Sequence, residues 1–300
     1  MQKDEPQKLL FVINPVSGGK EKTDWEVSIR EYFKDQPHSI EFYLLTGQSD
    51  TTSVQLYIER IQPHKVIAVG GDGTVKMVAE LTRNTSIALG ILPAGSANGM
   101  AKELGIPATK NEALNVVLNG EEKSIDAIEV NDKEMCLHLS DIGLNAMLVK
   151  YFEDSEKRGM WGYMKGVVKM LRFKQKMYAT IVTDEGTFYR KAYMVVLANA
   201  RQYGTGATIN PEGELDDGKF EIVVVRRLNF WGLLNMLITH KAFHPEKVEI
   251  FSTRKAEIKT LRSTYFQVDG EYRNRTSSVS ASVLPRCIRI MLPPSNNEVA

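Results

Sequence analysis

Val66-Ile67-Ala68-Val69-Gly70-Gly71-Asp72-Gly73-Thr74 runs four apolar residues into three glycines, an aspartate and a threonine. Val75-Lys76-Met77-Val78-Ala79-Glu80-Leu81 follows with the pattern of a helix. The stretch predicts a buried strand, a tight turn and a helix start. Without a Cβ, a glycine turn lets backbone N–H groups close on a phosphate. The helix N-terminus behind it adds partial positive charge. Asp72 offers the carboxylate oxygen that a nucleotide's Mg²⁺ favours. Taken alone, the turn serves equally as a plain strand-to-helix link in an α/β sheet, so the flanking chain has to decide.

Two more small-residue turns follow apolar strands. Residues 8–13 end in Asn14-Pro15-Val16-Ser17-Gly18-Gly19-Lys20, and residues 87–92 end in Pro93-Ala94-Gly95-Ser96-Ala97-Asn98-Gly99. The first is not a Walker A loop: its spacing is too short, and no Ser or Thr follows Lys20. Thr23 with Glu26 reads as a capping box, and Trp25, Ile29, Tyr32 and Phe33 give that helix an apolar face. A strand over 40–45 ends at Thr46-Gly47, and a helix over 51–61 stops at Pro63. Helices over 97–104 and 111–118 and a strand over 124–130 complete the first part. Alternating strands and helices imply a parallel sheet with helices on both faces. Ligands of such sheets sit at the carboxyl ends of the strands. The three turns at Asn14, Gly70 and Pro93 are therefore expected on one edge, converging on a nucleotide.

Past residue 130 the pattern changes to strands in succession: 135–141, 176–182, 187–197, 220–225, 247–253, 256–261, 265–268 and 278–283. Asp184-Glu185-Gly186 reads as a hairpin turn between the second and third of them. This predicts a mainly antiparallel β-sandwich, with helices over 160–173 and 230–241. The boundary is placed within 126–132. We expect an α/β nucleotide-binding domain over 1–130, a β-rich lipid or substrate domain over 131–285, and a strand near 286–293 returning to the first.

A net charge of +1 gives no global electrostatic case for nucleic acid. Cys136 and Cys287 lie in apolar runs and read as buried free thiols rather than a disulfide. The first residues are polar, and no apolar run reaches the roughly 18 residues of a spanning helix. We expect a cytoplasmic protein that meets a membrane, if at all, peripherally on its inner face. Residues 157–174 and the run after Arg226-Arg227 mix basic and aromatic side chains. Each reads as an interfacial helix or as a core-facing helix with basic stems. His240 and His244 share a helical face but lack a third ligand, and His138 reads as core.

Gly70-Gly71-Asp72-Gly73-Thr74 resembles the GGDGT motif shared by diacylglycerol kinases, sphingosine kinases and NAD kinases. Ile13-Asn14-Pro15 with Ser17-Gly18 is similar to the first nucleotide loop of the diacylglycerol/sphingosine lipid kinase group. Leu92-Pro93-Ala94-Gly95-Ser96-Ala97-Asn98 is similar to its LPxGTxN loop, with Ser96 in place of threonine. Gly99 departs from the bacterial pattern towards the sphingosine kinases. The resemblance, which spans nearly the whole chain, implies ATP and Mg²⁺. It places nucleotide contacts at Asn14, Ser17, Gly18, Thr46, Gly70, Gly71, Asp72, Gly73, Thr74, Gly95, Ser96 and Asn98.

Glu214-Leu215-Asp216-Asp217-Gly218-Lys219 looks like the family's segment that helps hold a structural magnesium. The implied ligands are Glu214, Asp217 and the Lys219 carbonyl, with Asp126 behind them in a water network. An exposed acidic turn is the alternative. Val268-Asp269-Gly270-Glu271 is similar to the family's DGE motif. On a regular strand Asp269 and Glu271 share a face, whereas Asp269-Gly270 also suits a hairpin turn. The resemblance assigns Glu271 as general base, and Asp72 competes for that role. The expected activity is ATP-dependent phosphorylation of a lipid hydroxyl such as that of diacylglycerol. NAD kinase is the alternative enzyme, although its downstream Asn-Glu pair is missing at Asn98-Gly99. A non-catalytic nucleotide-binding module is the alternative outside catalysis.

Overall fold

Strand β1 (Lys8–Ile13) is buried from Leu9 onward, and β3 (Lys65–Gly70) along its whole length. Strands covered on both faces carry continuous apolar runs, as parallel sheets require. The computed structural model describes residues 5–18, 24–153, 175–202, 208–211, 213–227 and 247–294. In it β1 pairs in parallel with β3 on one side and with β2 (Ser39–Leu44) on the other. β4 (Ala88–Pro93) continues from β3 in parallel. The end of the long strand β14 (Glu271–Leu292) closes this sheet, with Ile290 beside Leu89 in parallel. The order is therefore β14-β4-β3-β1-β2.

Five helices link these strands: α1 (Asp24–Phe33), α2 (Asp50–Ile61), α3 (Asp72–Thr82), α4 (Gly99–Glu103) and α5 (Lys110–Asn119). α3 packs on β3 and β4, and α5 packs on β4 and α1. On α1 the spacing read from sequence holds, since Trp25, Ile29 and Phe33 are buried. Lys65 is buried at the head of β3, where Nζ donates to the carbonyls of Val117 (2.9 Å) and Leu118 (3.2 Å). A cation there meets carbonyls that the end of α5 leaves without intrahelical donors.

The chain divides into two compact units, Met1–Ile125 with Arg286–Ala300, and Asp126–Pro285. β5 (Glu121–Val130) leads into the second and pairs with β6 (Glu134–Cys136). The second unit continues through β7 (Leu139–Gly143), α6 (Leu144–Glu153), β8 (Met177–Thr183), β9 (Gly186–Ala192) and β10 (Met194–Ala198). β11 (Phe220–Val225), β12 (Val248–Thr253) and β13 (Lys255–Val268) follow. Its antiparallel sheet runs β12-β11-β10-β7-β13-β14, and the β8–β9 hairpin adds to β13.

β13 joins two layers. Its first half lies beside β8, and Phe266, Gln267 and Val268 lie beside β7. Its pairing with β14 slips between Lys259 and Thr264 and between Tyr265 and Gln267. Bulges of this kind bend a strand and raise its twist. One core gathers Ile181, Val195, Phe220, Val224, Ile258, Phe266 and Val279. On the opposite face of β10 and β11, Val196 and Val223 pack with Leu144, Met147 and Leu148 of α6. Neighbouring valines thus serve two cores, which is the period of a strand.

Several elements differ from the sequence reading. The strand expected over 135–141 is two, broken at Leu137 and His138, whose N–H groups donate to the Asp269 carboxylate. His138 is half-buried in that break rather than in a strand core. The strand expected over 187–197 breaks at Tyr193, whose N–H donates to Val225 O at 2.8 Å. The strands at 256–261 and 265–268 are one bulged strand, and 278–283 is part of β14. α6 was not foreseen. α3 begins at Asp72, so half of the glycine motif is already helix, and α4 begins only at Gly99. The Thr23 cap, the helices at 160–173 and 230–241, and His240 and His244 lie outside the described residues.

Candidate active site

Hydrogen bonds running past the last strand residues set the ends of β1, β3 and β4 side by side. Asn14 N donates to Val69 O, and Ala94 N to Gly70 O, each at 2.9 Å. Side chains then cross between the turns. Asn14 Nδ2 donates to Thr74 Oγ1, and Ser17 Oγ to Ala94 O, both at 3.3 Å. Gly71 and Gly95 pack so closely that a Cβ added at Gly95 would collide with Gly71 Cα. The glycines therefore serve loop-on-loop contact first. Asn98, with φ 51°, clamps its own turn: Oδ1 accepts from Gly95 N (2.8 Å) and Nδ2 donates to Gly95 O (3.0 Å).

Asp72 has a structural duty that the sequence did not disclose. Oδ2 accepts from Gly99 N at 3.0 Å, and Oδ1 accepts from Met100 N at 2.9 Å. The carboxylate thus fastens the GGDGT turn to the start of α4. Each oxygen retains lone-pair capacity for a further partner. Gly18, Gly73 and Ser96 are exposed at this edge, while Thr74 is buried. Gly71 caps α3 with no side-chain hydrogen bond. The first N–H groups of that helix, which have no intrahelical acceptors, suit a phosphate. Thr46 stands on the adjacent strand end, and its N and Oγ1 both donate to Asp50 Oδ1 at 2.9 Å. It is tied to α2 rather than to the other turns.

In the second unit Asp269 (φ 51°) and Gly270 (φ 83°) link Val268 to its partner Glu271. Two left-handed residues between paired strands make a type I′ hairpin. The expectation that Asp269 and Glu271 share a strand face is overturned, because Asp269 is in the turn. Its Oδ1 accepts from His138 N (2.9 Å), and its Oδ2 from Leu137 N (3.1 Å). Gly270 N donates to Gln267 Oε1 at 2.7 Å, and Gln267 Nε2 donates to Asp141 Oδ2 at 2.6 Å. Asp141 also accepts from Asn145 Nδ2 (2.5 Å) and from Ala146 N (2.8 Å) at the head of α6. Burial pushes the Asp141 carboxyl up to about 6, against the pull of those donors. Glu271 itself is 54% exposed and ion-paired with Arg273.

The acidic segment is held directly by Asp126, which is fully buried. Asp126 Oδ2 accepts from Gly218 N, and Asp126 N donates to Leu215 O, both at 2.6 Å. These are direct bonds where the resemblance implied a water network. Asp217 Oδ1 accepts from Lys219 N at 2.9 Å, and both Glu214 and Asp217 are exposed. Asn199 Nδ2 donates to Asp126 O at 3.0 Å, while its Oδ1 is buried with no partner among the described residues. Among those residues no three His, Cys, Asp or Glu gather as a metal cage. The donors are nevertheless carboxylate, carbonyl and amide oxygens. They suit Mg²⁺, which keeps several waters and needs few protein ligands.

Sequence reasoning missed Glu221. It is buried on β11 and accepts from Asn210 Nδ2 (2.6 Å) and Ser252 Oγ (3.1 Å), and burial raises its pKa. A lone charge inside Phe-Glu-Ile-Val-Val-Val was the available signal.

Residues 8–130 match the diacylglycerol kinase catalytic domain, and residues 141–292 match the YegS C-terminal NAD kinase beta sandwich-like domain. The second match alone covers half of the chain. This chain belongs to the YegS-like lipid kinase family. A relative from Chromohalobacter salexigens, named "Probable lipid kinase YegS-like", is 30% identical over 216 residues, 69% of each chain. One of the same name from Shewanella frigidimarina is 25% identical and covers 92% of both chains. The crystal structure of a diacylglycerol kinase from Bacillus anthracis superposes with a TM-score of 0.74 at 20% identity. It covers 96% of this chain and 98% of that one, and it supports the fold. Like the family's name for its second domain, the β-sandwich here is NAD-kinase-like in architecture. No helix among the described residues is long and apolar enough to cross a membrane.

Proposed function

We infer that this lipid kinase family member transfers the γ-phosphoryl group of ATP to a lipid hydroxyl with the help of Mg²⁺. The observation that carries the reading is the meeting of three turns, from Asn14, Gly70 and Pro93, at the carboxyl ends of adjacent parallel strands. Gly71, Gly73 and the first turn of α3 face the phosphates with N–H groups and a positive helix end. Asn14, Ser17 and Asn98 hold the loops in register, and Ser96 adds an exposed polar atom at the same edge. Mg²⁺ bound with the nucleotide would neutralise charge on the phosphates, with Asp72 to hold it, whereas Glu214 and Asp217 would hold a separate structural ion in the second unit. Glu271 takes the proton of the attacking alcohol. The protein's share of catalysis is positioning and charge neutralisation.

ATP turnover with mixed diacylglycerol–detergent micelles, measured beside turnover with NAD, tests this. Lipid-dependent ATP consumption supports the reading. Consumption with NAD and none with lipid would transfer the protein to dinucleotide chemistry.

A further inference from the structure

A cavity of about 580 Å³ in the second unit takes no part in the site above. It is lined by Lys176, Tyr189, Arg190, Lys191, Arg226 and Arg227. Three separate pieces of chain supply it. Lys176 precedes β8, the next three residues lie on β9, and the two arginines follow β11. Among the described residues β9 pairs with β8 alone. Charged side chains on such an edge commonly block pairing with another strand. That purpose accounts for Lys191. It does not require Arg226 and Arg227 off another strand, nor charges of a single sign.

Among the described residues, the acid that meets this group is Glu249. It pairs with Arg190 through two bonds (2.7 and 2.6 Å) and with Arg226 at 3.7 Å. That pairing lowers the Glu249 carboxyl below its ordinary range and raises the Arg190 guanidinium. Among the described residues, five cations less one carboxylate leave a local charge of +4, against +1 for the whole chain. Such a concentration of one sign in a concavity attracts a multivalent anion. Guanidinium forks match phosphate oxygens in a bidentate way. The volume is that of a small-ligand site rather than of a groove that tracks a nucleic acid strand.

Aromatic side chains flank the cations. Tyr178 is 57% exposed and Tyr189 is 74% exposed on the β8–β9 hairpin. Tyr178 is the cross-strand partner of Lys191, whose ammonium lies 5.1 Å from its ring centre. Tyrosines with lysine and arginine are the side chains found at the boundary between lipid and water.

We propose that this face seats the protein on an anionic phospholipid bilayer, with a headgroup phosphate in the cavity. The choice of a bilayer over another polyanion rests on the lipid-kinase reading. The charge and aromatic arrangement stand without it.

The test is flotation with vesicles of phosphatidylcholine alone and with vesicles containing about a quarter phosphatidylglycerol. Wild type is expected to bind the anionic vesicles and to release them in high salt. The triple variant Lys191→Ala/Arg226→Ala/Arg227→Ala is expected to bind on the order of a hundredfold more weakly. Arg226→Lys/Arg227→Lys, which keeps the charge, is expected to retain most of the binding and guards against a misfolded triple variant. Binding equal to wild type in the triple variant overturns the proposal. So does wild type that floats no better with anionic than with neutral vesicles. Loss of oligonucleotide binding in the triple variant with vesicle binding intact would assign the face to nucleic acid and overturn it too. ATP turnover on lipid in neutral detergent micelles is read in parallel and is expected to be unchanged by the triple variant. If wild type binds anionic vesicles through these residues yet phosphorylates no lipid, the surface stands and the kinase reading fails.

Discussion

Glu271 Oε2 and Arg273 Nη2 form an ion pair at 2.5 Å, two residues apart on the strand that leaves the Asp269-Gly270 turn. Arg273 also holds Glu134 at 2.6 Å, and the two carboxylates, Glu134 first, push its guanidinium above the ordinary arginine range. The carboxylate assigned as base is thus oriented from behind. The turn before it is fixed through Gln267 to the buried Asp141.

Glu271→Gln preserves shape and one acceptor oxygen but cannot take a proton. We predict a fall in kcat of ~10²–10⁴ with the ATP dissociation constant nearly unchanged. Asp72→Asn, measured beside it, separates the rivals. Wild-type turnover in Glu271→Gln with a dead Asp72→Asn would pass the role of base to Asp72.

Asp72→Ala removes the acceptors for Gly99 N and Met100 N together. The expected result is loss of turnover and also a loss of about 1–3 kcal/mol in stability, because the start of α4 loses its anchor. Chemical denaturation of the variant checks this. Unchanged stability would show that those two hydrogen bonds contribute nothing net.

Asp141 gives stability a pH dependence of definite sign. Its carboxyl is ordinary at 3.8 and rises to about 6 when buried. Below pH of about 4 it is protonated in both states and has no effect. Between about 4 and 6 the unfolded chain releases the proton first, so stability falls as pH rises, by roughly 3 kcal/mol in all. Asp141→Asn removes that slope while losing an acceptor at every pH. Melting curves of the two proteins from pH 4 to 7 should therefore converge as pH rises. Parallel curves would mean that Asp141 ionises normally in the fold.

The acidic segment makes a separate prediction. Mg²⁺ is expected to raise the melting temperature of wild type and to do so less in Asp217→Ala. An equal rise in both would mean that no ion is held at Glu214 and Asp217.

Much of this was legible because local pattern and tertiary demand coincide. The run from Val66 to Val69 is buried on both faces, so it announces a central parallel strand whatever surrounds it. The turns at Asn14, Gly70 and Pro93 could be placed on one edge by topology alone. Their contacts could not, since the packing of Gly71 on Gly95 depends on two turns more than twenty residues apart. For the same reason Asp72 looked like a free metal ligand, although its partners are backbone N–H groups, which carry no residue signature. In the second unit, long-range hydrogen bonds override propensity. Asp269 breaks the strand at Leu137 and His138 from more than a hundred residues away. α6 was readable and overlooked: Leu144, Met147, Leu148 and Tyr151 keep a helical spacing directly after Asp141, which caps it.

The most direct test is incubation of the protein with γ-labelled ATP and a total lipid extract, followed by separation of the organic and aqueous phases. The account predicts that label enters an organic-soluble phosphate monoester of one lipid class, and that Glu271→Gln abolishes most of it. Label appearing only as inorganic phosphate, or only in a nicotinamide dinucleotide when NAD is added, would contradict it.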